Sequence, residues 1–240
     1  LNVTPSDRLS EEMLFNDREG FVKALNGVYI ELNTNELYGR NLTAGALDVM
    51  GQYYSVASSS HAFYNYGGLV YTGNDEKALF DNMWQKCYAV IACCNTIIEK
   101  CDENKAGLSP VWRGSIKGEA LALRAMLHFD MLRLFGPLTS ELDKESIPYQ
   151  TNSDQTVTPL LSGSEVVGLI LDDLKNAVGL LKDTDPYFVE EEFSDTDLNY
   201  RRFRMNYFAA KGLMARVQLW GGDKEKAAAT AKEVIAEGQA

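Results

Sequence analysis

Histidine is nearly missing from this chain of 240 residues, which has two, His61 and His128. Neither stands beside a serine or cysteine in a recognisable motif, so the sequence offers no nucleophile, base and orienter constellation. Long apolar runs are missing too: no stretch of about eighteen apolar residues reads as a membrane-spanning helix. Basic residues are outnumbered, 23 Lys and Arg against 34 Asp and Glu, for a formal net charge of −11. Such a field repels phosphate backbones and anionic headgroups, which argues against nucleic acid as the partner and leaves neutral ligands free to approach. Cysteine is sparse and clustered, with Cys87, Cys93, Cys94 and Cys101 in one expected helix. Seven residues of helix separate Cα atoms by about 10 Å, beyond the disulfide reach of about 7 Å, so Cys87, Cys94 and Cys101 read as small buried side chains on one face. Strand signals are scarce, the nearest being Asp48 to Tyr54 and Leu69 to Tyr71. No cofactor or metal is expected: the acidic stretch from Asp183 to Asp197 lacks EF-hand spacing and reads as a solvated loop, and no carboxylate pair stands out for acid–base work.

What the sequence does have is helical period. Asn16 and Glu19 have capping-box spacing ahead of Phe21, Leu25, Val28 and Leu32, predicting a helix to about Leu32. A second runs from about Lys77 to Lys100, with Trp84, Tyr88, Ile91, Asn95 and Ile98 stepping by three and four. Ser109-Pro110 opens a third that ends at Phe135, where Gly136 is expected as a left-handed cap and Pro137 as a stop. Ser162 and Glu165 open a fourth with an apolar stripe from Val167 to Leu181. Two more are expected near Arg204 to Trp220 and Lys224 to Glu237, joined at Gly221-Gly222-Asp223. Within the third helix, Glu119, Arg124 and Asp130 read as charges that bind neighbouring helices. From Asn33 to Asp75 no period survives, and an irregular excursion of that length is usually functional.

Matching Gly136 to Gly221 places Ala125 on Ala210, Phe129 on Met214, Leu132 on Val217 and Phe135 on Trp220. This resembles a tetratricopeptide hairpin used twice, in which small residues let helices approach. The fold class is therefore all-α, tetratricopeptide-like helical hairpins in an α-α superhelix, with a long irregular insertion. Leu1-Asn2-Val3-Thr4-Pro5, Lys23-Ala24-Leu25-Asn26-Gly27-Val28-Tyr29, Cys94-Asn95-Thr96-Ile97-Ile98, Gly118-Glu119-Ala120 through Arg133-Leu134-Phe135-Gly136, and Ala209-Ala210-Lys211 to Ala215-Arg216 together resemble the SusD/RagB family of Bacteroidetes surface glycan-binding lipoproteins. The resemblance implies one SusD-like helical domain over 1–240, the N-terminal half of a longer fold, with the 33–75 excursion inserted between its first two helices. It further implies an extracellular outer-membrane position through an N-terminal lipid; the start at Leu1 rather than methionine suggests that a leading segment precedes it. Partners implied are oligosaccharide or polysaccharide and a SusC-like TonB-dependent transporter.

Six aromatics fall in the nineteen residues from Tyr53 to Tyr71, against 10% for the chain. A sugar ring presents an apolar C–H face edged by hydroxyls, which suits flat aromatic platforms flanked by directional polar groups. The expected carbohydrate-binding residues are Tyr53, Tyr54, Tyr64, Asn65, Tyr66, Tyr71, Asp48 and Arg40, with Gln52 a further polar candidate. Tyr64, Asn65 and Tyr66 form the expected centre; the competing reading is that these tyrosines pin the excursion to the helices. The rival functions are a tetratricopeptide scaffold for peptides, which would not carry the aromatic excursion, and a hydrolase, which lacks its constellation.

Overall fold

A computed structural model describes residues 11–154 and 156–238. The opening Leu1 to Pro5 motif lies outside them. Helices dominate: α1 (Glu11–Leu14), α2 (Arg18–Leu32), α3 (Ala46–Met50), α4 (Tyr64–Gly67), α5 (Asn74–Glu103), α6 (Pro110–Phe135), α7 (Gly163–Thr184), α8 (Asp195–Arg201), α9 (Tyr207–Trp220) and α10 (Lys224–Glu237). Among the described residues no helix is long and apolar enough to cross a membrane. The chain divides into two compact units, 26–90 and the remainder, and α2 and α5 contribute residues to both.

In the larger unit, α6 begins as its sequence dictates: Ser109 Oγ accepts from the Trp112 N–H and Pro110 fills the first turn, where no intrahelical donor is needed. Its end corrects the expected left-handed cap. Gly136 has φ −85° and ψ 179°, an extended conformation, and glycine is needed there for space, since a Cβ would lie 2.5 Å from the Leu132 carbonyl oxygen. α6 is buried along most of its length, and α7 packs beside it behind a complete Ser162/Glu165 capping box. The matched Ala125 and Ala210 are both fully buried, and Phe129 meets Trp220 edge to face at 5.8 Å. Gly222, at φ +92°, turns the chain from α9 to α10, where Asp223 caps the new helix.

Charges inside this unit link elements, as expected for Glu119 and Arg124. Arg124 forms a bidentate pair with Asp173 of α7 at 2.7 Å for both Nε and Nη2, while its Nη1 donates to Asn95 Oδ1 and the Thr151 carbonyl. Glu119 binds Arg201 and Arg204. Asp130 makes a local pair with Arg133. His128 is fully buried, stacked on Tyr149 at 3.9 Å; its Nε2 accepts from the Gln150 N–H, so Nδ1 carries the hydrogen donated to the Arg124 carbonyl. Burial pushes its pKa down to about 3.

Two other expectations are corrected. The strand candidates are not strands: Ala46–Met50 is helical and Leu69 to Tyr71 is irregular, while the sheet is an antiparallel pair of β1 (Glu145–Pro148) and β2 (Leu160–Ser162). The stretch from Asp183 to Asp197 is not simply solvated, because Asp185 is fully buried and accepts from Arg201 Nε and the Tyr207 N–H. A carboxylate of that stretch is therefore a tie between α8 and α9. Of the cysteines, Cys87, Cys94 and Cys101 are buried and Cys93 is exposed, in keeping with their spacing; burial pushes the Cys101 thiol up to about 12.

Candidate functional site

The 26–90 unit is built around Ala46 and Val49 of α3 and Tyr66 of α4, with Met50, Val56, Phe63, Tyr71, Leu79 and Phe80 packed against them. Tyr66 is 2% exposed and lies edge to face with Phe63 at 5.7 Å and Phe80 at 6.0 Å; Tyr71 meets Phe80 at 5.4 Å. Burial, then Glu76 and Asp75, holds the Tyr66 hydroxyl above the ordinary tyrosine pKa, and burial does the same at Tyr71. Both rings help hold the excursion together; Tyr66 offers little face to a ligand, and Tyr71 is half-buried.

Beside them lies a cleft of about 440 Å³ between two backbone walls, Gln52 to Val56 and Tyr64 to Val70. Tyr54 and Tyr64, one from each segment, line it and are 53% and 42% exposed. Asn65, Gln52 and Ser55 supply its polar groups, and no lining residue carries a charge. The walls are preset by backbone geometry that side chains seldom adopt: Gln52 has φ +62° and Leu69 φ +55°. Gln52 offsets its cost with hydrogen bonds, its backbone N–H to the Val49 carbonyl and its Nε2 to the Gly67 carbonyl at 3.0 Å, which staples the walls together.

Asn65 is held from behind. Its Nδ2 donates to Glu76 Oε1 at 2.8 Å, and Glu76 is 5% exposed in the first turn of α5, where the helix dipole favours a carboxylate. The remaining predicted residues fall outside the cleft. Tyr53, 80% exposed, lies against Gly51. Arg40 is exposed, with its guanidinium 6.0 Å from the Phe63 ring centre and Nε on Asn41 Oδ1. Asp48 is half-buried on α3, its backbone carbonyl accepting from the Tyr53 N–H. The cleft thus gathers Tyr54, Tyr64 and Asn65 with Gln52, and adds Ser55, Val56 and Val70, whose small or aliphatic side chains gave no chemical signal in the sequence.

A larger groove, about 710 Å³, lies in the other unit above Arg124 and Asp173. No aromatic ring lines it, and the Arg124–Asp173 pair on its floor is already engaged by Asn95, Thr151 and Tyr149. The smaller cleft is the better match to a planar ligand edged by hydroxyls, because it alone of the two combines exposed rings with adjacent amides.

Residues 2–219 match a protein family described as starch-binding and associating with the outer membrane. A SusD-like protein of Formosa agariphila is 25% identical over 98% of this chain and 42% of its own length. One from Bacteroides ovatus is 30% identical over 59% of this chain and 23% of its own. The chain thus spans about two-fifths of the first of these relatives. Among solved structures, a SusD-like carbohydrate binding protein from Bacteroides vulgatus superposes with TM-score 0.73 at 24% identity, covering 92% of this chain and 45% of that one. A laminarin binding SusD-like protein gives TM-score 0.66 at 17% identity, covering 91% and 43%.

Proposed function

The chain belongs to the SusD-like family, and from that premise we propose that it binds oligosaccharide or polysaccharide, without turning it over, in the cleft of the 26–90 unit. The observation that carries this reading is the pairing of two exposed tyrosine rings with two amides in a preset, uncharged cleft. Tyr54 and Tyr64 are the stacking faces; Asn65 and Gln52 bond to hydroxyls at the ring edge. Tyr66 and Tyr71 act as the floor that fixes Tyr64, and Tyr53, Asp48 and Arg40 serve a longer chain running past the cleft. In the whole protein the bound glycan is handed to a SusC-like TonB-dependent transporter, at the outer face of the outer membrane, through a lipid anchor. Support for that setting comes from the family's description as outer-membrane associated.

The test is retention in native gels containing polysaccharide, after a glycan array has identified hits, followed by product analysis of the hit. Replacing Tyr54 or Tyr64 with alanine is expected to weaken retention about five- to tenfold, or ~1 to 1.4 kcal/mol, with the fold intact. Unchanged retention in the double variant removes the cleft from the reading, and release of shorter products overturns the binding-only role. Silence across the array moves the weight to peptide recognition by the helical hairpins.

A further inference from the structure

Asparagine presents one acceptor and two donors from a single planar amide, and its neighbour decides which end faces a ligand. A carboxylate oxygen accepts and has no hydrogen to give. Glu76 therefore takes the Nδ2 end of Asn65, at 2.8 Å, and leaves Oδ1 as the end that can accept, on a residue that lines the cleft. Glu76 is 5% exposed, and its carboxylate packs over Gly73, where a Cβ would lie 2.0 Å from its Oε2. No Lys or Arg among the described residues pairs with it, and none lines the cleft. Behind the polar edge of the cleft stands a buried carboxylate with no Lys or Arg partner among the described residues, held by the α5 N-terminus and the Asn65 amide, with an oxygen acceptor in front of it.

Resting on the carbohydrate reading, we infer that Glu76 is a positioning residue for specificity: it fixes Asn65 to accept from sugar hydroxyls and sets the cleft for neutral glycans against uronate-containing ones. A neutral sugar gives Asn65 Oδ1 a hydroxyl hydrogen. A uronate carboxylate brings only acceptors to an acceptor and places a second negative charge in front of Glu76, and like charges juxtaposed out of bulk water are strongly disfavoured.

The experiment compares wild type, Glu76→Gln and Asn65→Ala on neutral glucans and xylan (laminarin, starch, xylan) and on polygalacturonate and alginate, measuring affinity by gel retention and thermal melting in parallel. Wild type is expected to favour its best neutral glycan over either acidic one by at least about tenfold. Glu76→Gln removes the charge and adds a donor that can hold either end of the Asn65 amide, so the ratio of neutral to acidic binding is expected to narrow by about threefold or more. Asn65 is exposed, so Asn65→Ala folds independently of that outcome; it is expected to lose neutral binding by about fivefold. Equal wild-type affinity for acidic and neutral glycans, a folded Glu76→Gln with an unchanged ratio, or an Asn65→Ala with unchanged neutral binding each overturns the inference while the carbohydrate reading stands. Absence of binding to every glycan overturns the carbohydrate reading and the inference with it.

Discussion

Tyr64 and Tyr66 stand two residues apart and do opposite things, and the reason is angular. On a helix two residues span about 200°, so in α4 one ring faces outward at 42% exposed while the other goes into the core at 2%. Aromatic density in the sequence marked the region correctly as unusual, but the division of labour within it depends on a four-residue helix that no period announces. His128 shows another case: its place between Leu127 and Phe129 left surface and packed readings open, the structure buries it fully, and the consequence is quantitative. Its pKa is held down at about 3, whereas an unfolded histidine titrates near 6.5. Between those values the unfolded chain takes up a proton that the folded chain refuses. The stabilisation from neutral His128 is thus complete above about pH 6.5 and is lost as pH falls toward 3, at up to about 1.4 kcal/mol per pH unit. His128→Gln removes the titration while keeping a donor and an acceptor. Urea unfolding at a series of pH values is expected to find the variant less stable at pH 7 and the gap to wild type closing steadily below about pH 6.5. Parallel curves for the two proteins would mean that His128 is not the group responsible.

At the scale of elements, long helices with strong ends were readable because each end has its own local chemistry. Ser109-Pro110 and the Ser162/Glu165 box set α6 and α7 to the residue. The β1–β2 pair was not readable: its seven strand residues have no sustained alternation, and Ile147 and Tyr149 are buried there because of where α6 and α7 already lie. Asp173 joins these pieces, accepting from Arg124 on α6 and from the Tyr149 hydroxyl, at 2.6 Å, just beyond β1. Breaking such a buried pair from one side leaves a charge without its partner, so Arg124→Met is expected to destabilise the fold by about 3–5 kcal/mol. Arg124→Met with Asp173→Leu removes both charges and is expected to recover a large part of that loss, since the pair as a whole has a desolvation cost that an apolar replacement avoids. Chemical denaturation of the two single variants and the double variant measures the coupling; strict additivity would show that the pair does not act as a unit.

For the whole molecule, charge balance and cleft chemistry point the same way. A net charge of −11 surrounds a site that contains no charged lining residue, so the protein's field has nothing to act on in a neutral glycan and opposes an acidic one. Ionic strength separates the two situations. Raising salt from about 0.05 M to 0.5 M shortens the screening length from about 14 Å to about 4 Å, which weakens long-range repulsion while leaving stacking and hydrogen bonds at contact distance almost untouched. Affinity for a neutral glycan is therefore expected to change by less than about twofold over that range, measured by isothermal titration, whereas any residual binding of polygalacturonate is expected to rise with salt. A neutral glycan whose affinity falls steeply with added salt would require ion pairs in the recognition step. The exposed Arg40, beside Phe63 rather than in the cleft, would then be the first residue to replace.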